Sequence, residues 1–471
     1  MTSISAPIAT TCFTVLLLAA ALPAQTPDAA APSNEVSKVR IVRLSEVKGE
    51  VQMDRDTGRG FERAMANLPI VEKSRLQTGT GVAEVEFEDN STLRLAPNSL
   101  LEFTQLDRLQ GGTTASSVNL VKGMAYVSLV KTKGNEFNLL FGQQNLQLPP
   151  SSHVRLQVDG AEARLAVLDG SVRINGASGP IDVAKKKTVT FNMVDQAQPT
   201  VAKDVAPVQF DSWDQNAAGY HARTAAFSGS NTSPYAYGLS DMGYYGSFMN
   251  AGGCGSMWRP YFASAAWDPY SNGAWAWYQG AGYSWVSPYP WGWTPYHYGS
   301  WSFCQGTGWG WQPGGTWNGL NNAMAVASTG GLGHVPLRPV GPPRTGEPTL
   351  TLVDQKPLVR SEVASGDSFV FRKDSAGMGI PRDGMGKLDK FSQRAVDRGT
   401  ATTPIYMSVP TSASANGRPA NSTMAATSLH RGSAPSPTAP TAETSSRMGS
   451  SNSGGGRPSS SSSAPTSGRS H

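Results

Sequence analysis

The stretch Ala83-Glu-Val-Glu-Phe-Glu-Asp-Asn-Ser-Thr-Leu-Arg-Leu95 decides the fold class. Successive side chains of a strand point to opposite faces, so Val85 and Phe87 share one side and Glu84, Glu86 and Glu88 the other. Asp89-Asn90-Ser91 supplies residues that tolerate positive φ in a tight turn, and Leu93 and Leu95 return on the apolar side. The expectation is a β-hairpin whose three glutamates form the wet face, with a calcium site as the outside alternative. The same alternation recurs in Val39-Arg-Ile-Val-Arg-Leu44 and Arg164-Leu-Ala-Val-Leu168, with turn signals at Lys122-Gly123 and Asp169-Gly170. Many short strands with little helical periodicity make residues 39–195 an all-β sandwich, roll or barrel.

Several blocks in this region carry a family resemblance. They are Gly49-Glu-Val51, Leu76-Gln-Thr-Gly79, the hairpin itself, Pro97-Asn-Ser-Leu100, Gly123 at the opening of a following strand, and Val167-Leu-Asp-Gly-Ser-Val172. Together they resemble the FecR domain of bacterial envelope proteins, over about a third of the chain. The resemblance implies an all-β, extracytoplasmic domain that contacts an envelope partner. In signalling members such a domain passes a message from a TonB-dependent receptor to a cytoplasmic sigma factor through a membrane helix. This chain shows neither an N-terminal helical sigma-binding region nor an internal membrane span. It also reads Leu148-Pro-Pro-Ser-Ser-His153 where many members carry a Gly-Thr step.

The next region has a different grammar. All twelve tryptophans lie between Trp213 and Trp317, and from Asp241 to Trp317 the only charged residues are Asp241, Arg259 and Asp268. Trp267-Asp-Pro-Tyr-Ser-Asn-Gly-Ala-Trp275 aligns with Trp293-Thr-Pro-Tyr-His-Tyr-Gly-Ser-Trp301, and Gln279-Gly-Ala-Gly-Tyr-Ser-Trp285 with Gln305-Gly-Thr-Gly-Trp-Gly-Trp311, both at an offset of 26. A fainter first copy runs through Tyr245-Gly-Ser-Phe248 and Gly253-Cys-Gly-Ser-Met-Trp258. Three copies define a repeat of strand, Gly-rich turn and strand over residues 238–318, with units near 240–266, 267–292 and 293–318. The pairs Trp275/Trp277, Trp291/Trp293, Trp301/Phe303 and Trp309/Trp311 each put two rings on one face, separated by Ala276, Gly292, Ser302 and Gly310.

Those rings, with Trp258, Trp267 and Trp285, have two readings. They are a shared core, since each buried aromatic removes about 150–250 Å² from water, or they form an exposed platform on which a glycan or cell-wall polymer stacks. Cys254 falls in the turn of the first copy and Cys304 at a strand end of the third, an even pair suited to a disulfide or left as two small apolar thiols. Pro290-Trp-Gly-Trp293 and Tyr296-His-Tyr-Gly-Ser-Trp301 resemble the Trp/Tyr/Gly-rich domain of unknown function that follows FecR-like domains in some exported bacterial proteins. That resemblance implies a shared architecture and no known activity.

Composition sets the frame around these two modules. Glycine (51) and proline (33) are abundant in the 471 residues, and only 15% are charged, against about 25% in a typical soluble domain. Residues Ile8 to Leu22 form an apolar run shorter than the roughly 20 residues of a membrane span. It reads as a signal peptide over residues 1–24, cleaved after Ala24 or Ala21, with an uncleaved anchor or a misassigned start as alternatives. Residues 25–38 and 196–237 read as linkers. Residues 319–400 are mostly irregular, with short strands at Leu350-Thr-Leu-Val353 and Ser368-Phe-Val-Phe371 and a short helix at Lys387 to Arg398. Residues 401–471 form a disordered Ser/Thr/Pro/Gly-rich tail.

Chemistry is sparse. The formal charge of +5 resides mostly in that tail, which carries five arginines against one glutamate. The folded part therefore offers no basic groove for nucleic acid. The six histidines (His153, His221, His297, His334, His430, His471) lack metal-ligand spacing. Neither Cys254 nor Cys304 has a local base, and no nucleophile elbow or phosphate-binding loop is present. The expectation is a non-enzymatic protein without cofactor, exported to the periplasm or outside and associated with the envelope, with no transmembrane span once the signal is removed. Three functions fit: an interaction or scaffold protein binding an envelope protein through the FecR-like domain, a cell-wall polysaccharide binder, or a relative of the sigma-factor regulators.

Overall fold

The computed structural model describes residues 39–176, 179–194, 198–224, 233–320, 350–352, 368–382 and 384–404. The apolar N-terminal run and the Ser/Thr/Pro/Gly-rich tail beyond Pro404 lie outside the described residues, which all fall within one compact unit. The chain is dominated by antiparallel strands.

The diagnostic hairpin forms as expected. Strand Val82–Glu86 pairs with Thr92–Leu95 in the register Ala83↔Leu95, Glu84↔Arg94, Val85↔Leu93 and Glu86↔Thr92. Asn90 takes a positive φ of 72° in the turn, where the Ser91 N–H donates to Asp89 Oδ1 at 3.0 Å. Val85, Phe87, Leu93 and Leu95 enter the core.

The spine of this domain is the 15-residue strand Thr114–Ser128. Its first half pairs antiparallel with Leu100–Arg108 and parallel with Glu136–Phe141. Its second half pairs with Thr92–Leu95 and His153–Asp159. The partners change at Lys122-Gly123, where the sequence suggests a turn; the structure instead keeps the chain extended through it. Gly123 has φ 92°, and a Cβ there would lie 2.5 Å from the Ser99 main chain, so glycine lets the strand cross closely over Ser99 and pass from one sheet to the other. The continuous strand and its two sets of partners give the sandwich-like β-domain.

The stretch between the modules is not wholly a linker. Helix α1 (Asp211–Thr224) and the short helix α2 (Leu239–Tyr245) lie within or beside it, and Tyr126 Oη donates to Asp211 at 2.9 Å. The three repeats then form three hairpins: Gly246–Ala251 with Gly255–Pro260, Ala274–Tyr278 with Gly282–Val286, and Ser300–Cys304 with Gly308–Gln312. The first and third join into one four-stranded sheet through Trp258↔Trp311. The second stands apart and gains Leu350–Leu352 as a third strand. A one-turn helix α3 (Thr294–His297) precedes the last hairpin. Strands Ser368–Arg372 and Thr400–Pro404 pair around helix α4 (Leu388–Arg398); the first strand and the helix follow the local patterns, whereas Thr400–Pro404 falls at the start of the stretch expected to be a disordered tail and gains its order by pairing.

The two modules share their interior. Tyr237, Tyr278, Val286 and Trp293 belong to the same apolar cluster as the β-domain core. A second cluster gathers most of the remaining rings of the repeats together with Phe371, Ile380 and Leu388.

Candidate functional site

The aromatic candidates resolve first. Trp258, Trp267, Trp275, Trp285, Trp291, Trp293, Trp301, Trp309 and Trp311 are all buried, and only Trp277 is half-buried. Eight of them meet in one cluster, in edge and tilted contacts such as Trp275–Trp285 at 5.3 Å and Trp267–Trp301 at 5.7 Å between centroids. Their burial is the packing expected of a core rather than of a flat platform. One pair departs from the expected pattern. Trp291 and Trp293 sit in the irregular turn before α3 rather than in a strand, so period-2 alternation does not govern them. Trp291 packs with the aromatic cluster and Trp293 with the β-domain core.

Cys254 and Cys304 form a disulfide with a Cα–Cα distance of 6.0 Å. It links the turn of the first hairpin to the end of the third, beside Ala251 and Met257.

The chemistry collects elsewhere, on the face of the diagnostic hairpin that alternation assigns to water. Glu84, Glu86 and Glu88 are buried, correcting that expectation. Glu88 pairs with Arg40 at 2.7 Å. Glu84 and Glu86 lie under α1, α2 and Arg382, in a cluster that no local motif marks. Arg94 reaches Glu84 and Asp214 at 2.8 Å each. Arg43 reaches Glu86 at 3.0 Å and Asp241 at 2.7 Å. Arg382 pairs with both oxygens of Asp241 at 2.7 and 2.6 Å, and with Glu84 at 2.6 Å. His221 Nε2 lies 3.0 and 3.1 Å from the two Glu84 oxygens, Tyr220 Oη donates to Asp241 at 2.8 Å, and the Gly238 N–H donates to Glu86 at 2.7 Å.

The electrostatics follow from that geometry. Burial pushes the Glu84 carboxyl up, but His221, Arg94 and Arg382 outweigh it and hold the group well below the usual range. Burial likewise opposes ionisation of Asp241, and Arg382 and Arg43 reverse the effect. The other buried histidine behaves oppositely. His297 is stacked on Trp317 and 4.2 Å from Trp293 between ring centroids, and burial lowers its pKa to about 4.

Glu84, Glu86 and His221 bring one donor atom each to within 4.8 Å of one another, a spacing that suits a cation. The donor set does not fit one. Arg382 and Arg94 occupy both Glu84 oxygens and Arg43 takes Glu86 Oε2, leaving Glu86 Oε1 as the one carboxylate oxygen without a hydrogen bond. A divalent ion would have to enter against three guanidinium charges. The arrangement is an ion-pair lock: it joins the β-domain strands to α1, α2 and the segment around Arg382. The sequence conceals it because its members are far apart, Arg382 and Glu84 by 298 residues.

On the β-domain surface, a groove of about 390 Å³ is lined by Pro97, Asn98, Lys122, Met124, Val158 and Phe210, among others. Among the described residues, no helix is long and apolar enough to cross a membrane.

Comparison with known proteins matches these two modules separately. No curated protein matches the chain. Two crystal structures of a proposed anti-sigma factor from Parabacteroides distasonis ATCC 8503 align with 30% of this chain at 11% identity, with TM-scores of 0.26 and 0.25. The chain spans 64% of the length of those structures. Residues 239–341 match a family of unknown function, DUF6600, and residues 74–173 match the FecR protein family, so the chain carries a FecR domain followed by a domain of unknown function.

Proposed function

We propose that this protein is an exported, non-catalytic component of the cell envelope, of regulator or scaffold type, whose FecR-like β-domain binds a protein partner. The observation that carries the reading is the FecR match over residues 74–173. The surface groove adds a place for the contact, because Pro97, Asn98 and Gly123 of the family-like motifs help to line it. The Cys254–Cys304 bridge supports an oxidising compartment. The aromatic repeats serve this protein as a core. Polysaccharide binding through them is disfavoured by the burial of nine of the ten candidate rings, because a sugar needs ring faces open to solvent.

The test is site-specific photocrosslinking of the full chain in intact envelopes. A photoreactive residue at Asn98, in the groove, is expected to give a discrete adduct with one protein. The same residue at Asp182, exposed on the hairpin Ser171–Gly176/Gly179–Ala184, is expected to give none. Equal labelling from both positions, or none from Asn98, defeats the groove as the partner site. Recovery of the chain from the cytoplasm with its thiols reduced defeats the export reading.

A further inference from the structure

The two ends of the Cys254–Cys304 bridge differ in access. Cys254 is half-buried in the turn of the first hairpin, where its neighbours Gly252, Gly253, Gly255 and Ser256 are exposed. Cys304 is 1% exposed, at the end of strand Ser300–Cys304, and packs with the buried Ala251 and Met257. The backbone of Ala265 lies over Gly308, the strand partner of Cys304: a Cβ on Gly308 would come within 2.6 Å of the Ala265 oxygen. One cysteine therefore belongs to a glycine-rich surface turn and the other to the interior.

Thiol–disulfide exchange requires a thiolate to approach one sulfur along the line of the bond that breaks. Two factors oppose one another in choosing that sulfur. The charge of a departing thiolate is less welcome in the apolar interior at Cys304 than at the surface, which favours attack on Cys304. That factor only grades the rate. A sulfur sealed from solvent does not react until the structure around it opens. Access decides, and it selects Cys254.

We propose that Cys254 is a site of reversible S-thiolation, with Cys304 as its resolving thiol. An external low-molecular-weight thiolate attacks Cys254 Sγ and forms a new S–S bond there. The Cys254–Cys304 bond breaks, and Cys304 leaves with the electron pair and takes a proton from water. One disulfide replaces another, so the step involves no net oxidation or reduction. In the reverse direction Cys304 loses its proton to water and attacks Cys254 Sγ, and the external thiolate departs.

The surroundings suit a reversible step because they hold the turn in place without the sulfur link. Gln312 Nε2 donates to the Cys254 carbonyl at 3.0 Å, and Ser302 Oγ donates to Gln312 Oε1 at 2.9 Å. These bonds fasten the turn of the first hairpin to the third hairpin. Cys304 Sγ lies 3.6 Å from the Gly252 carbonyl oxygen, an acceptor for its S–H once the bridge is open. Cys304 thus stays beside Cys254 as the group that closes the bridge again. The site goes beyond the partner-binding reading and does not depend on it, since the groove belongs to the β-domain.

The test treats the folded full chain with reduced glutathione, blocks free thiols with N-ethylmaleimide and reads chymotryptic peptides by mass spectrometry. Aromatic residues between Cys254 and Cys304 supply the cuts that separate them, and Cys12 falls in a peptide of its own. Glutathione on Cys254 with maleimide on Cys304 is expected in at least about tenfold excess over the reverse pattern. In urea, where access is equal, the two patterns are expected to converge. Comparable patterns in the native protein, an excess of the reverse one, or no glutathione adduct at all overturns the proposal. Once glutathione is removed by gel filtration, the adduct is expected to decay to the intact bridge; an adduct that persists overturns the resolving role of Cys304. As a second measurement, iodoacetamide is expected to label Cys254 in Cys304→Ser at least about tenfold faster than Cys304 in Cys254→Ser. Equal native rates count against the proposal, and if either variant fails to fold the wild-type patterns still decide.

Discussion

At the scale of single residues, the instructive case is Glu84-Val-Glu86. Alternation correctly separates Val85 from its neighbours but says nothing of what covers the far face. Here helices α1 and α2 and Arg382 cover it, and the polar side becomes a second interior. One part of the compensation was visible nearby, since Arg94 sits across the hairpin from Glu84. The rest comes from Arg43, His221 and Arg382, which no local window connects. Because the pairs are buried, removing one partner leaves others desolvated and unmatched. Arg94→Ala strands Glu84 and Asp214 together, and the expected loss is about 3–5 kcal/mol in urea denaturation. Arg173→Ala breaks an exposed pair with Asp182 and is expected to leave the midpoint unchanged. Equal midpoints for the two variants would show that the lock contributes nothing.

At the scale of elements, repeat phase was legible and repeat pairing was not. The repeat spacing, 26 residues from the second copy to the third and 27 from the first to the second, locates all three hairpins because each copy encodes its own strands and Gly-rich turn. It treats the copies as equivalent, whereas the structure joins the first to the third and leaves the second to Leu350–Leu352. The glycines between rings make room for close packing: a Cβ on Gly310 would enter the Met257 side chain, and one on Gly273 would enter the Trp285 ring. Rings thus pack directly on backbone, a demand visible in composition but not assignable to partners. Besides the Trp258↔Trp311 pairing, Arg259 Nε donates to the Trp309 carbonyl and Gln312 Nε2 to the Cys254 carbonyl, each at 3.0 Å, and the Cys254–Cys304 bridge adds a covalent link between the first and third hairpins. It closes a separation of 50 residues, worth about 4 kcal/mol by loop entropy and typically about 2–4 kcal/mol in practice. Reduction with dithiothreitol is expected to lower stability by that amount while keeping the native far-UV circular dichroism. Superimposable denaturation curves for reduced and oxidised protein would remove the bridge from this role.

At the scale of the whole molecule, composition divides the chain sharply where packing does not. The change from Val/Leu/Glu to Trp/Tyr/Gly near residue 238 marks two grammars, yet the modules close over each other's backbone. Arg55 donates to the Trp277 carbonyl, Asn67 Nδ2 donates to Ser287 and Tyr289 at 2.9 and 2.6 Å, and Tyr278 Oη donates to Pro69 at 2.6 Å. Trp293 completes the β-domain core. Such contacts predict one cooperative transition rather than two. The tryptophans make the test clean: residues 39–195 contain none, so indole fluorescence reports on the later module and α1 alone. The far-UV signal, in contrast, draws heavily on the β-domain strands. The two probes are expected to give coincident urea midpoints in the wild type. Asn67→Ala leaves two carbonyls without their donor at a cost of about 1–3 kcal/mol. Because Asn67 belongs to the β-domain and its acceptors to the aromatic module, the variant is expected to shift both midpoints together. A shift in the far-UV curve alone, with fluorescence unmoved, would mean that the modules fold separately and merely touch.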